Sequence, residues 1–333
     1  MKRLLLAAVL AVAACTPTPA VLPDAPLPYR TGVAIQAQAV LLSPRDPTQT
    51  RIGDFVYAGG LALTSSETAR LHGLSDLRIL AGDQLVAISD EGDLLEAHLR
   101  RDKAGRLVGL DGARLTVLDD LDGKPLQGKA EADSEGLAVL ADGDRLVSFE
   151  RHDRVWRYPA AGGAALEAPF PAAEFPPNEG MEALAAYPAS GPDAYLVGGE
   201  ASGQTWICHV VGGCVEWEKI DKPAAFGLVS AAPMPAGGGV AYLLRAWDPL
   251  QGVRIKLLIR RDGAEIARME MAAPYTIDNF EGLDAVANPD GSVRFYLISD
   301  DNFQAIQRTL LVAFDWKPAA PEAPRQGQRK SRP

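Results

Sequence analysis

Five times along the chain, a short strand-like segment opened by a glycine is followed, across a polar turn, by a second apolar strand ending in charge. The first unit runs from Gly73-Leu74-Ser75 to Leu85-Val86-Ala87-Ile88-Ser89-Asp90. The second pairs Glu135-Gly136-Leu137-Ala138 with Leu146-Val147-Ser148-Phe149-Glu150-Arg151, and the third pairs Glu179-Gly180-Met181-Glu182-Ala183 with Tyr195-Leu196-Val197-Gly198-Gly199-Glu200. The fourth joins Phe226-Gly227-Leu228 to Ala241-Tyr242-Leu243-Leu244-Arg245, and the fifth joins Glu281-Gly282-Leu283-Asp284 to Phe295-Tyr296-Leu297-Ile298-Ser299-Asp300. Turns such as Ala141-Asp142-Gly143-Asp144 and Asn288-Pro289-Asp290-Gly291 suit hairpins. The glycines at 73, 136, 180, 227 and 282 are 63, 44, 47 and 55 residues apart. Paired strands recurring at such a period are the pattern of propeller blades, whereas an array of β-sandwiches requires no such recurrence. The expected fold is therefore all-β: a β-propeller of five or six four-stranded blades, the sixth hidden in the gap after Asp90. Strand-like runs at residues 32–42 and 55–63 precede the first unit, and one of these N-terminal strands should close the ring against residues 309–316.

The ends of the chain read differently. Lys2 and Arg3 precede an apolar run from Leu4 to Val12, of signal-peptide length and short of the roughly 20 apolar residues a membrane-spanning helix needs. Val12-Ala13-Ala14-Cys15 resembles a bacterial lipobox. Residues 1–14 are thus expected to be a lipoprotein signal peptide, with Cys15 lipidated and held in the bilayer at ~0.8 kcal/mol per buried CH₂. Residues 15–30, rich in Pro and Ala, form a stalk, and 31–317 the propeller. Residues 318–333, basic and Pro-rich with Arg325, Arg329, Lys330 and Arg332, form a disordered tail. Thr16 after the cysteine points to the outer membrane and its periplasmic side. In that oxidising compartment Cys208 and Cys214, flanking a Val211-Gly212-Gly213 turn, are candidates for a disulfide; two buried thiols are the alternative.

A net charge of -10 excludes a phosphate-backbone reader, so no nucleic acid is expected. In a blade, the loop entering the innermost strand and the loop leaving the second lie on one face. Asp90, Glu135, Glu150, Glu179, Glu182, Glu200, Glu281, Asp300 and Asp301 should therefore ring one mouth of the channel, with Arg151, Arg245 and Arg308 among them. Such a ring repels itself unless a cation joins it, and Ca²⁺ takes roughly 6–8 oxygen ligands. Glu135, Glu179, Glu281, Asp300 and Arg308 are the candidates for catalysis; Asp90, Glu150, Glu182, Glu200, Asp301 and Asn302, with Asn279, are those for holding Ca²⁺. A metal there would polarise a phosphoryl group while arginines clamp the anion. The opposing view is that these carboxylates pair with the arginines and only stabilise the ring.

Asp278-Asn279-Phe280-Glu281-Gly282-Leu283, then Leu297-Ile298-Ser299-Asp300-Asp301-Asn302-Phe303 and Gln307-Arg308-Thr309-Leu310-Leu311, resemble the signature of the family called "esterase-like activity of phytase". Asp133-Ser134-Glu135-Gly136-Leu137, Ser148-Phe149-Glu150-Arg151 and Asn178-Glu179-Gly180-Met181-Glu182-Ala183-Leu184 are similar to its earlier motifs, and the resemblance spans about residues 57–316. It implies a phytase-like propeller whose acidic residues carry phosphoester or ester hydrolysis on a small substrate.

Other chemistries lack their residues. No Gly-x-Ser-x-Gly elbow is present, and Gly73-Leu74-Ser75 lacks the second glycine. His72, His98, His152 and His209 show no zinc spacing, although His152 could serve the mouth as an acid or base. Phosphate loops and dinucleotide motifs are absent, so no nucleotide cofactor is expected. The remaining alternative is a non-catalytic binding propeller that presents its channel mouth to a sugar, peptide or envelope protein, with Trp156, Trp206, Trp217 and Trp247 as contact surfaces.

Overall fold

The computed structural model describes residues 31–318. Cys15, the leader and stalk, and the tail from residue 319 lie outside the described residues. Among the described residues no helix is long and apolar enough to cross a membrane.

Four strands come first among the described residues: β1 (Thr31–Gly32), β2 (Ile35–Ala39), β3 (Arg51–Ile52) and the longer β4 (Phe55–Ser65). Blade one follows as β5 (Leu74–Leu80), β6 (Gln84–Ser89), β7 (Asp93–Arg101) and β8 (Leu107–Val117), with β1 on its outer edge. A one-turn helix, α1 (Lys129–Ala132), leads to blade two: β9 (Ser134–Val139), β10 (Arg145–Phe149), β11 (Arg154–Tyr158) and β12 (Leu166–Ala168). Blade three is β13 (Ala183–Ala186), β14 (Ala194–Gly198), β15 (Gln204–His209) and β16 (Gly213–Lys219). Blade four is β17 (Gly227–Pro233), β18 (Val240–Asp248), β19 (Gly252–Arg261) and β20 (Ala264–Met271). In blade five, β21 (Asn279–Ala287), β22 (Val293–Asp300) and β23 (Leu310–Trp316) are completed by β4, which pairs antiparallel with β23. The ring thus has five blades and is closed by an N-terminal strand. The gap after Asp90 holds β7 and β8, the long outer half of blade one, and no sixth blade.

The apolar runs that mark each second strand have a packing cause. A blade is covered on both faces, so alternate side chains enter different inter-blade cores. Val147 and Phe149 pack toward blade one, while Leu146 packs toward blade three. Tyr195 and Val197 face blade two, and Leu196 faces blade four. The five apolar clusters are the five gaps between neighbouring blades. Outer strands lose this constraint, and β16 carries exposed Glu216 and Lys219.

The channel is blocked part-way by one ion pair. Asp76 and Arg78 lie on β5, buried, with Arg78 Nη2 2.9 Å from Asp76 Oδ2. Arg78 donates to the carbonyls of Leu184 in blade three, Ala231 in blade four and Leu283 in blade five. Asp76 accepts the Leu137 N–H of blade two at 2.9 Å and the Ser230 hydroxyl of blade four at 3.1 Å. Burial pushes Asp76 up to about 7 against the pull of Arg78.

Candidate active site at the acidic mouth

Each innermost strand carries one extra residue at the same place. In blades one, two, four and five the register slips there, leaving Ser75, Glu135, Val229 and Glu281 without a partner opposite. In blade three the Gly180 carbonyl accepts from Glu200 N–H while Ala183 pairs with Gly198, so Glu182 takes this position. A β-bulge re-aims its side chain. Here it delivers Glu135, Glu182 and Glu281, from three blades, into one shaft where each feels the charge of the others. Glu182, not Glu179, is the counterpart of Glu135 and Glu281. Glu179 is exposed, three residues further out.

The glycine after the bulge is shaped by proximity rather than by a turn. Gly136 and Gly282 lie inside β9 and β21 and do not have positive φ. A Cβ on Gly136 would stand 2.5 Å from Leu184 Cβ and 2.7 Å from the Glu182 carbonyl; on Gly282 it would stand 2.8 Å from Asp76 Cα. At these two positions the neighbouring inner strand stands too close for a side chain.

A second ring surrounds the shaft. Gly73, Asp133, Gly180, Gly227 and Asn279 stand opposite Asp90, Glu150, Glu200, Arg245 and Asp300. Arg245 binds Glu281, donates to Asn279 Oδ1 at 2.8 Å and lies 3.4 Å from Glu200. Asn279 Nδ2 also donates to Glu281 at 2.8 Å. On the blade-two side, Lys129 holds Asp90 and Asp133 together, Arg151 pairs with Asp133, and the Gly180 N–H donates to Glu150 at 3.0 Å. These three cations face eight carboxylates.

Burial, and after it the excess negative charge, sets the proton affinities. Burial first, then mutual repulsion, holds Glu135 and Glu182 well above the usual carboxylate range. Burial lifts Glu281 to about 8 despite Arg245, Asp300 to about 7 and Asp90 to about 6. Burial also raises Glu150 and Glu200.

Among the described residues, one group meets the geometry for a cation: carboxylate oxygens of Asp133, Glu135 and Glu150 lie within 4.8 Å of one another. Asp133 was not a candidate from the sequence, although it opens the Asp133-Ser134-Glu135 motif and shares its register with Asn279. Beside the shaft, the buried Asp90 Oδ1 has no hydrogen-bond donor among the described residues.

The other sequence candidates sit outside the shaft. Asp301 accepts the Gly73 N–H and the Thr309 hydroxyl and braces the β22–β23 loop. Asn302 is exposed in that loop, its N–H donating to Asp300 at 2.7 Å. Arg308 is exposed and pairs with Asp278 at 3.5 Å. His152 faces Glu131 at 3.3 Å on the surface. Trp156 and Trp206 are buried between blades, Trp217 packs on Tyr187, and Trp247 stands exposed. Cys208 and Cys214 face each other across β15 and β16 and form a disulfide.

The sequence profile of the Phytase-like family, described as esterase-like activity of phytase, matches residues 69–303, from ahead of β5 to the loop after β22. The chain belongs to this family. In this phytase-like propeller the match spans all five channel-lining strands and both rings of the mouth. No curated protein matches the chain. Among solved structures, it is similar to a putative gluconolactonase at 13% identity, covering 89% of this chain and 94% of that one with a TM-score of 0.44. It is similar to virginiamycin B lyase from Staphylococcus aureus at 12% identity, covering 85% and 99%, with a TM-score of 0.41. It is also similar to hydrazine synthase from Kuenenia stuttgartiensis at 11% identity, covering 74% of this chain and 64% of that one, TM-score 0.36.

Proposed function

We propose that the acidic mouth hydrolyses phosphoesters or carboxylic esters with the help of a hard divalent cation such as Ca²⁺. The protein would be a lipoprotein held by Cys15 on the periplasmic side of the outer membrane. The observation that carries the catalytic reading is the delivery of Glu135, Glu182 and Glu281 into one shaft whose carboxylates outnumber its cations.

The Asp133, Glu135 and Glu150 donors are all oxygen, which suits a hard cation, and these residues would hold it. Bound there, the cation would polarise the ester oxygen and acidify a water. The chain's own groups prepare the site. Lys129 and Arg151 fix Asp133, the Gly180 N–H orients Glu150, and Arg245 pins Glu281 and Glu200. Hydrolysis joins a water oxygen to phosphorus or the acyl carbon, breaks the bond to the leaving oxygen and delivers a proton to it. Asp300, lifted to about 7 and anchored by the Asn302 N–H, is matched to that transfer near neutral pH.

The placement rests on the Lys2-Arg3 start, the apolar run and the Val12-Ala13-Ala14-Cys15 segment. The Cys208–Cys214 disulfide suits the same oxidising compartment.

The test is calorimetric titration of Ca²⁺ into metal-stripped full chain in mild detergent, with a phosphomonoester, a phosphodiester and a carboxylic ester assayed in the same buffer. Calcium-dependent turnover that is lost in Glu135→Gln with the fold retained supports the reading. Calcium binding without turnover leaves a recognition module, and neither binding nor turnover rejects the cation.

A further inference from the structure

On the face of the acidic shaft, displaced toward blades three, four and five, lies a cavity of ≈ 1090 Å³. Glu200, Arg245 and Asn279 belong to both, so cavity and shaft are continuous. The cavity adds an aromatic face to these charged groups. Trp247 follows Arg245 by two residues on β18, so the two side chains share a face of the strand. Trp247 is 69% exposed, whereas Trp156, Trp206 and Trp316 are buried.

Besides the charged Glu179, Lys222, Asp278 and Arg308, the rest of the wall carries neutral amides. Three of the chain's four asparagines line it, with Gln251, Gln304 and Gln307. Left-handed backbone accounts for the residue type at Asn178 and Asn302, with φ of 56° and 48°. It does not account for Gln304 and Gln307, whose side chains make no hydrogen bond with the described residues. Each amide offers two donors and one acceptor at any pH, and an indole face offers a flat apolar bed. A hydrocarbon chain would leave the amides unsatisfied, and a bare phosphate has no use for the indole. A sugar ring, apolar on its C–H face and hydroxylated at its edge, meets both.

We propose that this cavity is a saccharide subsite, holding the sugar of a sugar phosphoester with the indole of Trp247 beneath the ring and Gln304 and Gln307 at its hydroxyls. The phosphorus then lies at the shaft, so the substrate assignment rests on the hydrolytic reading, while saccharide binding does not.

The experiment uses the full chain with Ca²⁺ and two measurements. In the first, 6-phosphates of glucose, galactose and N-acetylglucosamine are compared with methyl phosphate as substrates. Trp247→Ala and the double change Gln304→Ala with Gln307→Ala should each raise KM for a sugar phosphate about tenfold while leaving kcat/KM for methyl phosphate within about twofold. In the second, the unphosphorylated sugars are titrated into Glu281→Gln by calorimetry. At least one should bind, and Trp247→Ala in that background should abolish it. Sugar binding without turnover of any phosphoester rejects the hydrolytic reading and keeps the subsite. Turnover with no sugar bound, or equal losses on sugar and methyl phosphates, overturns the subsite and keeps the hydrolase.

Discussion

Asp76 and Arg78, two residues apart on one strand of blade one, form an ion pair that touches all four other blades. The link is made through backbone groups of the other blades, apart from the Ser230 hydroxyl. Removing one partner of a buried pair leaves the other charge uncompensated. Asp76→Ala or Arg78→Ala, measured at pH 8 by urea unfolding, should cost about 3–5 kcal/mol. Arg268→Ala, which breaks an exposed pair with Glu265, should cost under about 1 kcal/mol. Equal costs at the two places would deny the axial pair its role.

Three carboxylates at the bulge position should dominate activity. Glu135→Gln and Glu281→Gln should each lower kcat for a phosphoester about 100-fold or more, as expected for groups acting at the reacting centre. Glu179→Gln, at an exposed position, should stay within about threefold of the unchanged protein. A Glu179 variant as damaged as Glu281→Gln would place the site elsewhere.

Stability should respond to pH in the sense opposite to that of an ordinary surface aspartate. Burial raises Asp93 from 3.8 to about 7, even though Arg70 stands 2.8 Å away. The folded form therefore holds this proton more tightly than the unfolded form. That contribution favours folding fully below pH 3.8 and is lost as pH rises through about 7. Asp93→Asn should flatten the fall in unfolding free energy between pH 4 and 7, measured by denaturant titration at several pH values. An unchanged slope would mean the carboxylate is ionised throughout.

The two channel glycines tolerate no methyl group. Gly136→Ala and Gly282→Ala should each destabilise by about 1–3 kcal/mol or more, because the neighbouring backbone must move. Gly162→Ala, where nothing lies within 4 Å, serves as the control, although its φ of 82° carries a strain of its own of order 1 kcal/mol. Thermal unfolding of the three variants separates crowding from backbone strain.

The blades were readable because alternate residues of each second strand fill two different cores, which writes a continuous apolar run such as Leu85-Val86-Ala87-Ile88. The acidic mouth was readable because strand entries and exits share a face. Its register was not. The Glu-Gly pair looked like a unit, but in blade three the bulge glutamate precedes Ala183, and Gly180 belongs to the outer ring. A bulge shifts which residue faces the axis without marking the sequence. Asp133 was hidden because its counterparts in the outer ring, Gly73, Gly180, Gly227 and Asn279, share no residue type with it. The axial pair left a plainer trace, an aspartate and an arginine inside the buried strand Leu74–Leu80, but its four partners are mostly backbone atoms that no side-chain pattern announces.

The seam between β4 and β23 joins residues some 250 positions apart, so its pairing contributes unusually distant contacts and a slow step in folding. During synthesis β4 emerges early, with Phe55 and Leu61 bound for the core; β2 and β3 pair along one edge, and the other stays open until Leu310–Trp316 arrives. An open apolar edge in that interval is a template for pairing with another chain. Of the strands that make up the four-stranded blades, the first to be made is the last to have its inner edge covered.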